Sequence, residues 1–145
     1  MVSVNYNNQY IVRKFVNLLM IDGKKIKAEK LLQNALLVVK KRESLDPIQV
    51  FLKALSCCKP SVEIRSVRRG GASYQIPVPL KEYRGISLSM KWIIQAARKR
   101  KGPFHTNLAV TLLEASKNQG DSVKKKDSIH MTALKNRSLT HFRWF

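Results

Sequence analysis

Residues 59–80, KPSVEIRSVRRGGASYQIPVPL, limit the possible folds of this chain more than any other stretch. Apolar and polar side chains alternate on both sides of Gly70-Gly71, a dipeptide that is typical of the turn in a β-hairpin. The stretch therefore predicts two antiparallel strands joined by a short turn, with an arm at about residues 61–79.

The register of this hairpin depends on the length of its turn. A two-residue turn would mix polar and apolar side chains on one face, because it pairs Arg65 with Ile76 and Glu63 with Val78. We therefore predict an odd-numbered turn, such as 69–71 with one glycine at positive φ. That turn places Val62 opposite Val78 and Ile64 opposite Ile76.

Two prolines indicate that the hairpin is an isolated ribbon. Pro77 and Pro79 have no amide hydrogen to donate and lie on the same side of their strand, so that side is predicted to be unpaired. A lone hairpin is only marginally stable and needs a body behind one face. The arginines near the turn suggest that the arm contacts a polyanion; they are Arg65, Arg68 and Arg69.

The charge of the chain points to the same kind of partner. Its 145 residues include 28 Lys and Arg against 9 Asp and Glu, for a net charge of +19. Each half of the chain carries 14 of the basic residues, so the excess belongs to the whole chain and is no detachable tail. Nucleic acid is the usual partner that neutralises such an excess of positive charge.

Other functional classes receive little support. No apolar run reaches the ~18 residues of a membrane span, and no signal or transit peptide is recognisable, so we expect the protein to work where it is made. The adjacent Cys57 and Cys58 lack zinc-site spacing and are interpreted as small apolar packing residues. Asp127 and His130 lie one helical turn apart, which favours a surface pair over a catalytic one. We predict no enzyme activity and no cofactor.

Apolar periodicity predicts a mainly α protein, a single domain over 1–145 with about six helices and the arm between the third and fourth. Asp46-Pro47 is predicted to begin the third helix, with Asp as N-cap and Pro at the first position. A fifth helix is predicted near 107–118 and a sixth near 123–137. The predicted inward residues of helices two, three and six include Ile26, Ile48, Ile129, Ala133 and Leu134.

Basic residues recur in clusters at predicted helix ends. Cations in the last turn of a helix complement its dipole, which accounts for the cluster at 98–101. The same account fails for Lys124, Lys125 and Lys126, which open a helix, so we interpret this trio as binding phosphate. The C-terminal string 135–145 interleaves basic and aromatic residues, whose rings either pack on the body or stack on unpaired bases.

Four blocks of the sequence together resemble a known family, protein seven of the small ribosomal subunit in its bacterial and organellar form. They are LLMIDGKK (18–25), the arm (59–80), SMKWIIQAARKRKG (89–102) and AVTLLEASKNQGDSVKKKDSIHMTALKNRSLTHFRW (109–144). The resemblance implies a six-helix domain with a protruding hairpin. It also implies binding to the three-prime major domain of small-subunit rRNA, and a role in organising the subunit head for assembly and translation.

The resemblance also assigns residues and partners. The implied rRNA contacts are Lys24, Lys25, Arg98, Lys99, Arg100, Lys101, Lys124, Lys125, Lys126, Lys135, Arg137, Arg143 and Trp144. The arm implied to lie near the exit-site tRNA and the mRNA path carries Arg65, Arg68, Arg69, Gly70 and Gly71. Other head and platform proteins of the subunit are expected neighbours, and neither a membrane nor a second copy of the chain is expected.

Some features depart from the usual family pattern. Only the uncharged, asparagine-rich residues 1–9 precede the first helix, where relatives carry a longer basic leader. The lysine-, asparagine- and isoleucine-rich composition and the ending 141–145 favour an organelle-encoded mitochondrial member, with a bacterium or plastid as alternatives. An architectural DNA-binding protein with a basic β-arm is the alternative function, although the tip has no apolar wedge.

Overall fold

The computed structural model describes residues 8–43 and 46–143 and is mainly α-helical, as predicted. This part of the chain contains six α-helices, with one antiparallel hairpin between the third and the fourth and a short 3₁₀ helix after the last. The elements are α1 (Asn8–Leu19), α2 (Lys25–Arg42), α3 (Pro47–Cys58), β1 (Val62–Arg69), β2 (Ala72–Pro79), α4 (Glu82–Lys99), α5 (Phe104–Ser116), α6 (Asp121–Lys135) and the 3₁₀ helix (Arg137–Phe142).

The helices pack around α3 and α5, which contact each other and both α2 and α4. Phe15 of α1 meets Phe51 of α3 edge to face, with ring centroids 5.1 Å apart. Leu108 and Leu112 bring the inner side of α5 into the same core, and both are fully buried. Burying large apolar side chains is the main force that stabilises such a body, and it leaves the basic residues at the surface.

Local interactions shape the start of α3, as predicted, and the turn after α1. The Asp46 carboxylate accepts a hydrogen bond from the backbone amide of Ile48 at 3.1 Å, with Pro47 in the first turn, which confirms the N-cap of α3. After α1, both Asp22 and Gly23 adopt positive φ, which reverses the chain into α2. The direction of α2 and α3 is thus set by short-range chemistry.

The predicted register of the hairpin is wrong. β1 and β2 are joined by the two-residue turn Gly70-Gly71, which pairs Arg65 with Ile76, Glu63 with Val78, Ile64 with Pro77 and Val62 with Pro79. Both glycines have positive φ, as the favoured two-residue turn of a hairpin requires. The mixed face is tolerated because its polar members, Glu63 and Arg65, form an ion pair with each other.

The two prolines lie where the sequence requires them. Pro77 lies opposite Ile64, and Pro79 lies opposite Val62. Counted from the turn, both are non-hydrogen-bonded pairs of the antiparallel ladder, so neither position needs an amide hydrogen. The next pair, Leu80 and Ser61, is hydrogen-bonded at 3.0 Å, which fits this alternation. The missing amide hydrogens of the prolines therefore remove no hydrogen bond between the strands. In the described residues the sheet has only these two strands, as predicted.

Several side chains and boundaries differ from the sequence-based predictions. Ile26, Ile48 and Leu134 are exposed by 70%, 43% and 59%, although periodicity had placed them inward. Ile26 and Ile48 lie in the first turn of their helices, where few elements remain to cover them. Helix α5 begins at Phe104, three residues early, and the predicted end of α6 becomes the 3₁₀ helix. Ala133 is buried as predicted.

Candidate nucleic-acid interface

The second half of α4 and the first turns of α6 enclose a cleft that joins two basic clusters. Arg98 and Lys99 line it from α4, and Lys125 lines it from α6, beside Trp92. The Lys125 ammonium lies 5.8 Å from the centre of the Trp92 ring and donates a hydrogen bond to the Gln95 side chain at 2.9 Å. Lys99 and Lys125, which are 26 positions apart in the sequence, therefore belong to one cationic cleft between the two helices. We call it the α4–α6 cleft.

The three lysines at the start of α6 have different surroundings. Lys124 is exposed, Lys125 belongs to the α4–α6 cleft, and Lys126 is only 19% exposed. The Lys126 ammonium donates to the backbone carbonyl of Cys57 at 2.9 Å and so satisfies a carbonyl in the last turn of α3. Lys126 is thus a structural link between two helices, whereas Lys124 projects into solvent.

The basic residues at the end of α4 and directly after it show the same division. The side chains of Arg98, Lys99 and Lys101 are exposed, but Arg100 forms an ion pair with Glu114 of α5. The Asn107 amide donates to the backbone carbonyl of Arg100 at 3.0 Å and holds this segment in place. One member of the predicted contact cluster is therefore occupied inside the protein, and three are available at its surface.

The turn between α1 and α2 presents Lys24 and Lys25 to solvent. The Lys24 ammonium lies 3.6 Å from the Asp22 carboxylate, and the Lys25 ammonium lies 3.9 Å from the carboxylate of Glu29, one turn further along α2. All four side chains are at least 46% exposed, so these pairs contribute little to stability and are readily exchanged for another anion.

An ion-pair network attaches the arm to α4. The largely buried carboxylate of Glu63 lies 2.7 Å from Arg65 and 3.3 Å from Arg84. Burial by itself raises the pKa of Glu63, but the hydrogen bonds and charges of the two arginines outweigh it and hold the pKa below its ordinary value of 4.5. Sequence reasoning missed Arg84, because its nearness to Glu63, 21 residues away, exists only in the fold.

The tip of the arm contacts the 3₁₀ helix. The Tyr74 and Phe142 rings stack with centroids 5.3 Å apart, and the Arg69 guanidinium lies 5.6 Å from the centre of the Phe142 ring. Phe142 therefore packs within the protein, and this decides between the two alternatives for Phe142 alone among the aromatic residues of the C-terminal string. Arg68 is exposed, whereas Arg69 is half-buried.

The base of the arm is attached to α6. The backbone amide of Ser61 donates to Nε2 of His130 at 3.2 Å, so His130 contacts the arm and makes no pair with Asp127. A groove runs between β2, α6 and the 3₁₀ helix, with Arg137 and Arg143 among its lining residues. Lys135 is exposed nearby on α6. The predicted contact Trp144 lies outside the described residues.

Other kinds of site find no support in residues 8–43 and 46–143. This part of the chain holds no group of three or more His, Cys, Asp or Glu side chains suited to a metal ion. None of its helices is both long and apolar enough to cross a membrane. The Cys58 thiol is fully buried and donates to the Ser122 hydroxyl at 3.3 Å, and burial raises its pKa, so this cysteine packs and does not react.

The basic surfaces at the α1–α2 turn, in the α4–α6 cleft, on the arm and in the groove beside it define the class: a strongly basic, mainly helical protein with a β-arm. The model of the family described as "Ribosomal protein S7p/S5e" matches residues 1–137. The chain belongs to this family.

Curated relatives cover nearly the full length of the chain, and each is called small ribosomal subunit protein uS7. The protein from Dictyoglomus thermophilum is 41% identical over 138 residues, which is 94% of this chain and 88% of the relative. The Vibrio atlanticus protein is 43% identical over 135 residues, 92% and 86% of the two chains. The Nitrosomonas eutropha protein is 46% identical over 132 residues, 90% and 85% of the two chains.

Proposed function

We propose that this protein is a structural constituent of the small ribosomal subunit that binds and organises the three-prime major domain of small-subunit rRNA. Membership of the S7p/S5e family supports the role in the subunit. The observation that carries the RNA-binding mechanism is the α4–α6 cleft, where Arg98, Lys99 and Lys125 are held together beside Trp92. Its action is binding and positioning, with no catalysis.

The mechanism follows from the rigidity of the body. Cations at fixed separations displace counterions from a folded RNA, and they bind best to phosphates that have the same separations. Side chains cannot read the deep groove of an RNA duplex, so selectivity comes from the shape of junctions and from unpaired bases. A body that presents the α1–α2 turn, the α4–α6 cleft and the arm can hold several RNA segments in one arrangement.

Arg68, an exposed arginine at the tip of the arm, is assigned a different task from the cations of the body. With Arg68 exposed at its tip, the arm approaches the exit-site tRNA and the mRNA path, while the main rRNA contacts lie on the body. Changing Arg68 to alanine should leave folding and rRNA affinity unchanged and should lower translation by reconstituted subunits. Equal translation by wild-type and variant subunits would contradict this assignment.

Salt dependence tests the RNA-binding proposal. Purified protein is titrated with a transcript of the three-prime major domain and with a plain RNA duplex of equal length. Contact with about six phosphates predicts a slope of about −4 to −5 for log affinity against log salt, with preference for the transcript. A nearly flat slope, or equal binding to bent duplex DNA, would overturn the proposal.

The cellular location is a further part of the proposal. We favour the mitochondrial matrix ribosome and an organelle-encoded chain, on the basis of the composition and the ending 141–145. A bacterial cytoplasm is the alternative, and the bacterial origin of the relatives named above agrees with it. Sedimentation of the tagged protein with small subunits from organelle or cell lysates distinguishes the two.

A further inference from the structure

A second basic cleft lies away from all the surfaces described so far. It is formed by the end of α2, the first two turns of α3 and the end of α5, and has a volume of about 600 Å³. We call it the α2–α3–α5 cleft. Its charged lining residues are Arg42, Glu43, Lys53 and Lys117. Three cations against one carboxylate leave this cleft with a net charge of two positive.

The cations of this cleft are only partly accounted for within the protein. Lys117 pairs with Glu43 at 2.7 Å, which joins the ends of α5 and α2. Arg42 complements the dipole at the end of α2, but Lys53 lies in the interior of α3, where the dipole offers it nothing. Within residues 8–43 and 46–143, neither Arg42 nor Lys53 makes an ion pair, and both are exposed.

The lining also indicates the chemistry of the occupant. Val50 is the only apolar side chain among its lining residues and is buried, so the apolar surface of the cleft belongs mainly to the stems of polar and charged side chains. The centre of a protein interface is depleted of such charged residues. Its remaining lining is polar or charged, from Gln49 and Ser116 among others. An anion with a polar, hydrated backbone fits this lining better than a protein does.

The position of the cleft makes it a separate contact. Gln49 and Lys53 lie in the first two turns of α3, whereas the arm begins beyond the other end of that helix. Six residues separate Lys53 from Lys59 at that end, about 9 Å along the axis. The cleft shares no lining residue with the α4–α6 cleft. An RNA strand bound here is therefore contacted by residues that belong neither to the arm nor to the α4–α6 cleft.

We infer that the α2–α3–α5 cleft binds the phosphate backbone of a second segment of small-subunit rRNA, with Arg42 and Lys53 as its phosphate contacts. This inference rests on the proposed function, because it needs RNA as the partner. It makes the protein a clamp between two RNA segments, one at this cleft and one at the surfaces described above. The Lys117–Glu43 ion pair bridges the ends of α5 and α2 at this cleft.

The test compares two double variants that remove equal charge. R42Q/K53Q neutralises the cleft and retains much of each side-chain stem, and K30Q/K91Q neutralises two exposed lysines that lie in none of the binding surfaces. With the three-prime major domain transcript as the probe, R42Q/K53Q should lose about tenfold in affinity and about 1.5 units of salt slope, as expected for two lost phosphate contacts. K30Q/K91Q should lose less than twofold.

A hydroxyl-radical footprint of the transcript gives the second readout. R42Q/K53Q should lose protection at one contiguous RNA segment and retain it elsewhere. Equal losses in the two variants, or an unchanged footprint, would overturn the inference while leaving the proposed function intact. Failure of the wild-type protein to bind the transcript would instead overturn the proposed function. Matching melting curves establish that both variants are folded.

Discussion

The helical body and the β-arm are stabilised by different interactions, although both are basic. Apolar side chains such as Phe51 and Leu112 hold the body together, and most of its cations remain at the surface. The arm has Ile76 and Val78 as its buried side chains and relies also on polar and aromatic contacts, among them the carboxylate of Glu63. A cation on the body is thus mostly available to a partner, whereas several cations on the arm hold the arm in place.

The largest effect is expected in the core of the body. Phe51→Ala removes a buried ring that packs on Phe15 and should lower the free energy of unfolding by about 3–5 kcal/mol. Urea denaturation measures the loss, with the exposed Leu37→Ala as the control. Loss of the arm alone, with the body still folded, would show that the body does not depend on this core.

Lys126 and Lys124 provide the sharpest contrast among the basic residues. Lys126→Met removes a charged hydrogen bond to the carbonyl of Cys57 and should cost about 1.5–3 kcal/mol of unfolding free energy. The matched Lys124→Met should leave stability within about 0.5 kcal/mol and weaken rRNA binding. Denaturation and RNA titration of both variants measure the two effects. Equal stability of the two proteins would contradict the structural role of Lys126.

The contact between the arm and the 3₁₀ helix should matter locally. Phe142→Ala removes the ring that stacks on Tyr74 and lies under Arg69, at a cost of about 0.5–1.5 kcal/mol. Amide hydrogen exchange should accelerate in residues 72–79 and remain unchanged in α3 and α5. The control is Tyr83→Ala, which removes an exposed ring from α4. Uniform acceleration across the chain would show that arm and body unfold as one unit.

The smallest effect should depend on pH. Because Arg65 and Arg84 lower the pKa of Glu63 in the folded state, the ionised carboxylate stabilises the protein above its ordinary pKa of 4.5. That contribution is lost as the pH falls through the lowered pKa. Glu63→Gln should therefore cost about 1 kcal/mol at pH 7 and almost nothing near pH 2. Urea denaturation at both pH values measures the loss of unfolding free energy. An equal loss at pH 7 and near pH 2 would contradict the ion-pair account.

Local chemistry made much of this fold predictable. The N-cap at Asp46, the apolar periodicity of the helices and the position of the Gly70-Gly71 turn all depend on residues close in sequence. The register of the hairpin was mispredicted because the rule of matched faces ignores ion pairs along one strand. The pair of Glu63 with Arg65, and the contact of Glu63 with Arg84, make a mixed face stable.

The candidate site was predictable only in part. Clusters contiguous in sequence, such as 98–101 and 124–126, are visible without a structure. What the fold adds is the grouping of Arg98 and Lys99 with Lys125, and the separation of Lys126 from its neighbours in the trio. Arg42, Lys53 and Lys117 come together from three helices, so no pattern in the sequence marks them.

The sequence by itself determined the class of fold, the β-arm and the strongly cationic surface, because helix periodicity, turn chemistry and net charge are properties of neighbouring residues or of composition. Only the tertiary structure decided which cations are exposed and which are used internally. That decision depends on distances between helices, as with Lys126 and the carbonyl of Cys57, or Arg84 and Glu63. Packing of the apolar core sets those distances, and no single segment of the chain contains them.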